Sequence, residues 1–171
     1  MAEVVIRKAE EQDMDELIRI YAAARCTMRA SGNLYQWGNG EPFPAELIEK
    51  IGDGVQYLCE EEGRPFATFA CIGGEDPTYR VIEQGQWLRE TPYFAVHRVA
   101  SDGTRHGVMG LITASAADIA GSADLRADTH RDNLLMQKAL SKNGFVYCGI
   151  IHLLNGDERL AYQRLSGGKE R

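Results

Sequence analysis

The chain has 171 residues, 44% of them hydrophobic and 26% charged, with a formal net charge of −6. That length suits one domain with a sizeable core, and the acidic balance argues against nucleic acid or an anionic membrane as partners. No apolar run approaches the ~20 residues of a bilayer span, and charge enters at Glu3 and Arg7, so neither a membrane segment nor a leader is expected and a cytoplasmic protein is.

Residues 4–7 read as a first strand. Asp13 opens an amphipathic helix to about residue 28, with Met14, Leu17, Ile18, Tyr21 and Ala22 on its apolar face. Residues 31–40 are rich in glycine and asparagine but carry Tyr35 and Trp37. Such rings either form a binding surface or plug the edge of a core. Pro42 and Pro44 precede a short helix at 45–51. The strand-like runs 55–60 and 64–72 are joined by Glu61-Glu62-Gly63 as a hairpin. A longer connection, 73–87, holds Gly73-Gly74, Pro77 and Trp87. Residues 93–100 then form a mostly apolar strand of the buried kind.

The chain breaks at 101–104, passes through Arg105 to Gly110, and continues as an alanine-rich helix that Gly121 stops. Residues 124–128 are a strand. Thr129 with Asp132 fits a capping box for the next helix, and Asp132 or Asn133 is also placed to cap it. Leu135, Met136, Ala139 and Leu140 share a face, Lys142 suits the negative helix end, and Gly144 sits where a left-handed C-terminal residue belongs. A strand runs to 153, Asn155-Gly156 turns, and 158–163 returns as the last strand. The expected fold is α/β (an α+β mixed sheet): a single domain over 1–165, a mixed central sheet with helices on both faces, and a polar tail, 166–171, that frays.

Cys26, Cys59, Cys71 and Cys148 lie in apolar segments without CxxC spacing, which suits reduced, buried thiols. His97, His106, His130 and His152 form no metal-binding spacing, so no metal is expected. The junction at 99–110 carries more chemistry. A buried strand feeding a glycine-containing turn and a helix presents unpaired backbone N–H groups, and Arg105 adds charge; a diphosphate suits such a place even on an acidic protein. Neither a P-loop nor a full G-x-G-x-x-G is present.

Asn133, Lys142, Gly144 and Phe145 fit the pattern N-x8-K-x-G-F after a strand with an acidic end. With the order of elements, this resembles the GNAT N-acetyltransferase superfamily. The family's loop, Q/R-x-x-G-x-G/A, is matched by Arg105 and Gly110, with Val108 in place of the inner glycine; a shifted register uses Gly107 instead. The resemblance implies acetyl-CoA as co-substrate, its diphosphate at Arg105, His106, Gly107, Val108, Met109 and Gly110. It implies that Arg98 and Val99 pair the pantetheine arm, with Asn133 and Lys142 beside that arm. A primary amine of a small molecule or peptide would attack the thioester directly, and a homodimer is left open.

Many members of the family protonate the leaving thiolate with a Tyr seven residues after the Asn; Leu140 stands there. His97, Asp128 and His130 are the candidates for proton transfer. His97 is either a proton acceptor or a hydrogen-bonded strand residue, Asp128 either holds the ammonium or caps a turn, and His130 more simply orients its loop. Tyr35, Gln36, Trp37 and Trp87 are expected near the acceptor's opening. The alternatives are an acyl-CoA sensor without turnover, and a protein-interaction domain that binds no CoA.

Overall fold

Alternating and continuous apolar runs become strands, and the runs of period 3.6 become helices. In the computed structural model, which describes residues 2–167, the order is β1 (Val4–Lys8), α1 (Met14–Ala30), α2 (Pro44–Gly52), β2 (Gln56–Glu61), β3 (Arg64–Gly73), β4 (Tyr93–Ser101), α3 (Val108–Ala120), β5 (Asp124–Thr129), α4 (Leu134–Lys142), β6 (Val146–His152) and β7 (Glu158–Arg164). The strands make one mixed sheet, as expected, in the order β1-β2-β3-β4-β5-β7-β6. β1 with β2, β2 with β3, β5 with β7 and β6 with β7 are antiparallel. β4 and β5 are parallel over Tyr93–Ala95 and Asp124–Arg126, and α3 supplies the crossover that a parallel pair requires. The described residues divide into two compact units. One runs to Cys71 and includes His97–Val108; the other comprises Ile72–Val96 and the residues from Met109 onward.

In the first unit, Leu17, Ile20, Tyr21 and Ala24 of α1 pack with Leu47 of α2 and Leu58 of β2. The stripe is one step from the expected one: Ile18 and Ala22 face solvent, while Ile20 and Ala24 are buried. An apolar arc about 100° wide leaves its edges undecided until a neighbour covers one of them. Asp13 opens α1 as expected, but its carboxylate reaches back to Arg7 at 2.8 and 2.9 Å and to the Glu10 N–H at 2.8 Å. The Arg7 guanidinium, against burial, holds this carboxyl below its ordinary range. Glu62 and Gly63 turn the β2–β3 hairpin in left-handed conformations, φ 51° and 74°, which matches the twist of the strands.

In the second unit, the connection before β4 lies against β6. Glu83 and Ile150 exchange two backbone hydrogen bonds of 2.8 Å, and a Cβ at Gly85 would come within 1.9 Å of the Cys148 carbonyl oxygen. Only glycine fits that approach. Tyr79, Trp87, Tyr93 and Ile151 form the core beside it. Asp124 is buried and accepts hydrogen bonds from Arg89, Thr91, Gln163 and the Ser166 N–H. Burial would raise this carboxyl, but Arg89, the Ser166 amide and Thr91 outweigh it and hold it far below the carboxylate range. Ser166 is therefore tied down, against the expectation of a frayed tail, while residues 168–171 of that tail lie outside the described residues.

Two further expectations change. Of the face expected on α4, Leu135 is 54% exposed and Leu140 is the buried residue. Cys26 is exposed, whereas Cys59, Cys71 and Cys148 are buried and free. Burial pushes the Cys59 thiol up to about 12 and that of Cys71 to about 11. Among the described residues no helix is long and apolar enough to cross a membrane, and no cluster of His, Cys, Asp or Glu suits a metal ion.

Candidate active site

β4 carries an irregularity at its centre. Arg98 has φ 55°, a left-handed conformation that costs most residues about 1–2 kcal/mol and is rare inside a strand. Two contacts hold it there. The buried Tyr21 hydroxyl donates to the Arg98 carbonyl at 2.7 Å, and the Arg98 guanidinium donates to Glu46 at 3.2 Å. Gln56 donates in turn to the Tyr21 hydroxyl at 3.1 Å and to Thr68 at 2.7 Å, and Thr68 donates to the Tyr57 carbonyl. His97 and Val99, on either side of Arg98, are half-buried.

Gly107 leads into α3 with φ 73°, and nothing lies within 4 Å of where its Cβ would be. The N–H groups of the first turn of α3, from Val108 to Gly110, fall outside the intrahelical ladder. A bare backbone turn with free donors is chemistry that fits a diphosphate, so these residues suit the expected co-substrate. The individual side chains differ from the expectation. Arg105 does not stand alone at the turn: it pairs with Glu61, lies 5.4 Å from the Phe66 ring, and lines a cavity of about 590 Å3 with Arg19, Arg64 and Thr104. His106 is exposed and Met109 is buried. Gly110 has a packing role, since its Cβ would meet the Asn143 Oδ1 at 3.3 Å.

In the second unit, Asp128 lies near the end of β5, where it accepts a 2.6 Å hydrogen bond from the Tyr79 hydroxyl. Burial first, and then the Asp128 charge, push the Tyr79 phenol well above its ordinary range, so it remains a donor. The neighbouring Arg126 is 2% exposed, with its guanidinium carbon 3.9 Å from the Trp87 ring centre and 4.1 Å from that of Tyr93. Contacts of that kind are worth about 2 kcal/mol when desolvated. Trp87 therefore does not stand at an opening. It is 5% exposed, its indole N–H donates to the Tyr79 carbonyl, and its face holds Arg126.

After β5, the His130 Nδ1 accepts from the Asp132 N–H at 3.1 Å. Burial, and then the Arg159 charge, lower the pKa of this imidazole, so the neutral ring that can accept is favoured. Asn133 is the residue that caps α4: its Oδ1 accepts from the Met136 N–H at 3.1 Å, in place of the Thr129–Asp132 box. Lys142 is exposed at the far end of the helix, and Gly144, φ 85°, closes it. Of the aromatic loop, the Trp37 ring packs edge-on against Tyr21 at 5.5 Å, plugging the core, while Tyr35 is 77% exposed and Gln36 accepts from Asn33.

The first unit thus holds Tyr35, Gln36, Trp37, His97, Arg98, Val99, Arg105, His106, Gly107 and Val108. The second holds Trp87, Met109, Gly110, Asp128, His130, Asn133 and Lys142. Tyr79 and Tyr21 were not legible as site residues, and at Arg98, an expected site residue, the left-handed conformation was not. The one signal available was a charged Arg126 inside a short apolar strand, which marks a buried polar cluster.

Neither a family sequence model nor a curated protein sequence matches the chain. Solved structures do. A GNAT-family acetyltransferase from Streptococcus agalactiae is 31% identical over 98% of this chain and 96% of its own, with a TM-score of 0.86. One from Listeria monocytogenes is 18% identical over 94% of both chains, with a TM-score of 0.69. The ribosomal-protein-S18-alanine N-acetyltransferase of Escherichia coli is 12% identical over 99% of both, with a TM-score of 0.60. The last two share the fold; the first shares sequence along the whole length as well.

Proposed function

The chain belongs to the GNAT family of acetyltransferases, and on that premise we propose that it moves an acetyl group from acetyl-CoA to a primary amine of a small molecule or peptide by direct attack. The observation that carries this is the likeness to the Streptococcus agalactiae enzyme over nearly all of both chains. The free first-turn donors of α3 and the open glycine before them support it.

Bound acetyl-CoA supplies an activated acyl group: the amine nitrogen bonds to the thioester carbonyl carbon and the C–S bond breaks. The chain's own groups do the rest. Gly107 and the N–H groups from Val108 to Gly110 hold the diphosphate. The backbone of Arg98 and Val99 pairs the amides of the pantetheine arm, and Asn133 and Lys142 contact it. Asp128, fixed by Tyr79, receives the substrate ammonium, and His97 accepts the proton that nitrogen must lose before it attacks. His130 holds the loop after β5 through the Asp132 N–H. The buried Leu140 offers no acid to the thiolate, which takes its proton from water. The exposure of Tyr35 supports it as the aromatic residue that meets an acceptor, whereas Trp37 and Trp87 serve the core. The reaction runs in the cytoplasm.

A second reading, an acyl-CoA sensor without turnover, is favoured by Leu140 and by Val108 in place of the loop's inner glycine. Incubation with acetyl-CoA and a panel of primary amines separates the two. The transferase predicts free thiol that appears only with an acceptor. The sensor predicts thermal stabilisation by acetyl-CoA, about 2.7 kcal/mol at 100 times the dissociation constant, with no thiol released.

A further inference from the structure

Arg98 presents a physical problem. A left-handed arginine in a strand is strained, and two buried polar atoms around it, the Arg98 Nη1 and the Gln56 Oε1, have no partner. The chain of hydroxyl and amide groups beneath it, Tyr21, Gln56 and Thr68, is fully buried in what would otherwise be an apolar core. Strain and buried polarity of this kind persist where the surrounding structure over-determines a conformation, and such places cluster at functional sites. Here both anchors meet on one residue, Tyr21 on its carbonyl and Glu46 on its guanidinium.

Peptide geometry gives the consequence. The Arg98 carbonyl and the Val99 N–H belong to one planar trans unit, so they point in opposite directions. With the carbonyl fixed on the Tyr21 hydroxyl at 2.7 Å, the Val99 N–H is aimed away from α1. We propose that Tyr21 is a positioning residue for acyl transfer: its hydroxyl, backed by Gln56 and Thr68, pins the left-handed Arg98 and thereby aims the Val99 N–H as a fixed donor toward the acyl arm. This rests on the family-based function above. It adds a side chain that touches no substrate and works through one peptide plane. A donor set in place before reaction costs no reorganisation when charge develops, and losing such a donor costs on the order of 10²–10³-fold in kcat.

The test is Tyr21→Phe, which keeps the ring and its contacts and removes only the hydroxyl. The expected result is a fall in kcat of about tenfold or more, since the peptide is freed but not lost, with KM for the amine unchanged. Ile20→Val, a core change on the same helix that leaves the hydroxyl in place, is expected to keep kcat. A Tyr21→Phe enzyme with kcat within twofold of the parent, or an equal fall in Ile20→Val, overturns the proposal while leaving the transferase intact. If the parent shows no turnover with any amine, the transferase reading fails instead, and the pinning is decided by the crystal structure of Tyr21→Phe. There Arg98 is expected to leave the left-handed region, and φ still near 55° overturns it. Should Tyr21→Phe not fold, Gln56→Met, which unbacks the hydroxyl, is read in the same two ways.

Discussion

Asn133 does two jobs in this account, and they separate cleanly. As the cap of α4 its Oδ1 binds the Met136 N–H, and as a proposed cofactor ligand it contacts the pantetheine arm. Serine caps nearly as well as asparagine, so Asn133→Ser is expected to keep the melting temperature while weakening stabilisation by acetyl-CoA. Asn133→Ala is expected to lose both, with about 1 kcal/mol of stability gone. Differential scanning fluorimetry with and without acetyl-CoA reads the two effects. Asp128 is the residue proposed to receive the substrate ammonium. Its carboxylate is held by Tyr79 in a cluster where Arg126 is buried against two rings. Asp128→Asn is expected to lower kcat/KM for the amine about 10²-fold, the range for a group that binds or moves a proton. Acetyl-CoA binding, followed by calorimetry, should stay as it was.

At the scale of elements, the connection between β3 and β4 is as structural as the strands. Its approach to β6 at Gly85 leaves no space for a methyl group, so Gly85→Ala is expected to cost about 3 kcal/mol, seen as a lower midpoint in urea unfolding. Helices and strands were legible because periodicity is local, whereas the α4 cap was one of several candidates that only the Asn133–Met136 hydrogen bond decides. The faces of α1 and α4 were less so: Ile18 and Leu135 look buried by spacing, but only a neighbouring element decides which edge of an apolar stripe is covered. Trp87 and Tyr79 sit in a connection without a motif, and their role appears only when the fold brings Arg126 and Asp128 to them. Arg98 was hidden for another reason. Arginine has no preference for positive φ, so nothing in the sequence marks the left-handed residue that Tyr21 and Glu46 hold.

For the whole molecule, two groups give the stability a definite pH dependence. Asp124 is held below its ordinary range, so its contribution is complete above about pH 4 and is lost as pH falls through the depressed folded value. His130 is also lowered, but as a base. Folding favours its neutral form, so its contribution is complete above about pH 6.5 and fades as the pH drops through and below that value. Between pH 7 and pH 5 the melting temperature should therefore fall, and His130→Asn should flatten that fall. The central claim is transfer of the acyl group itself, and the fate of an isotope-labelled acetyl group tests it most directly. With labelled acetyl-CoA and an accepted amine, mass spectrometry is expected to find one label on the amine nitrogen for each free thiol released. Label recovered only as acetate or intact thioester, whatever amine is supplied, would contradict it.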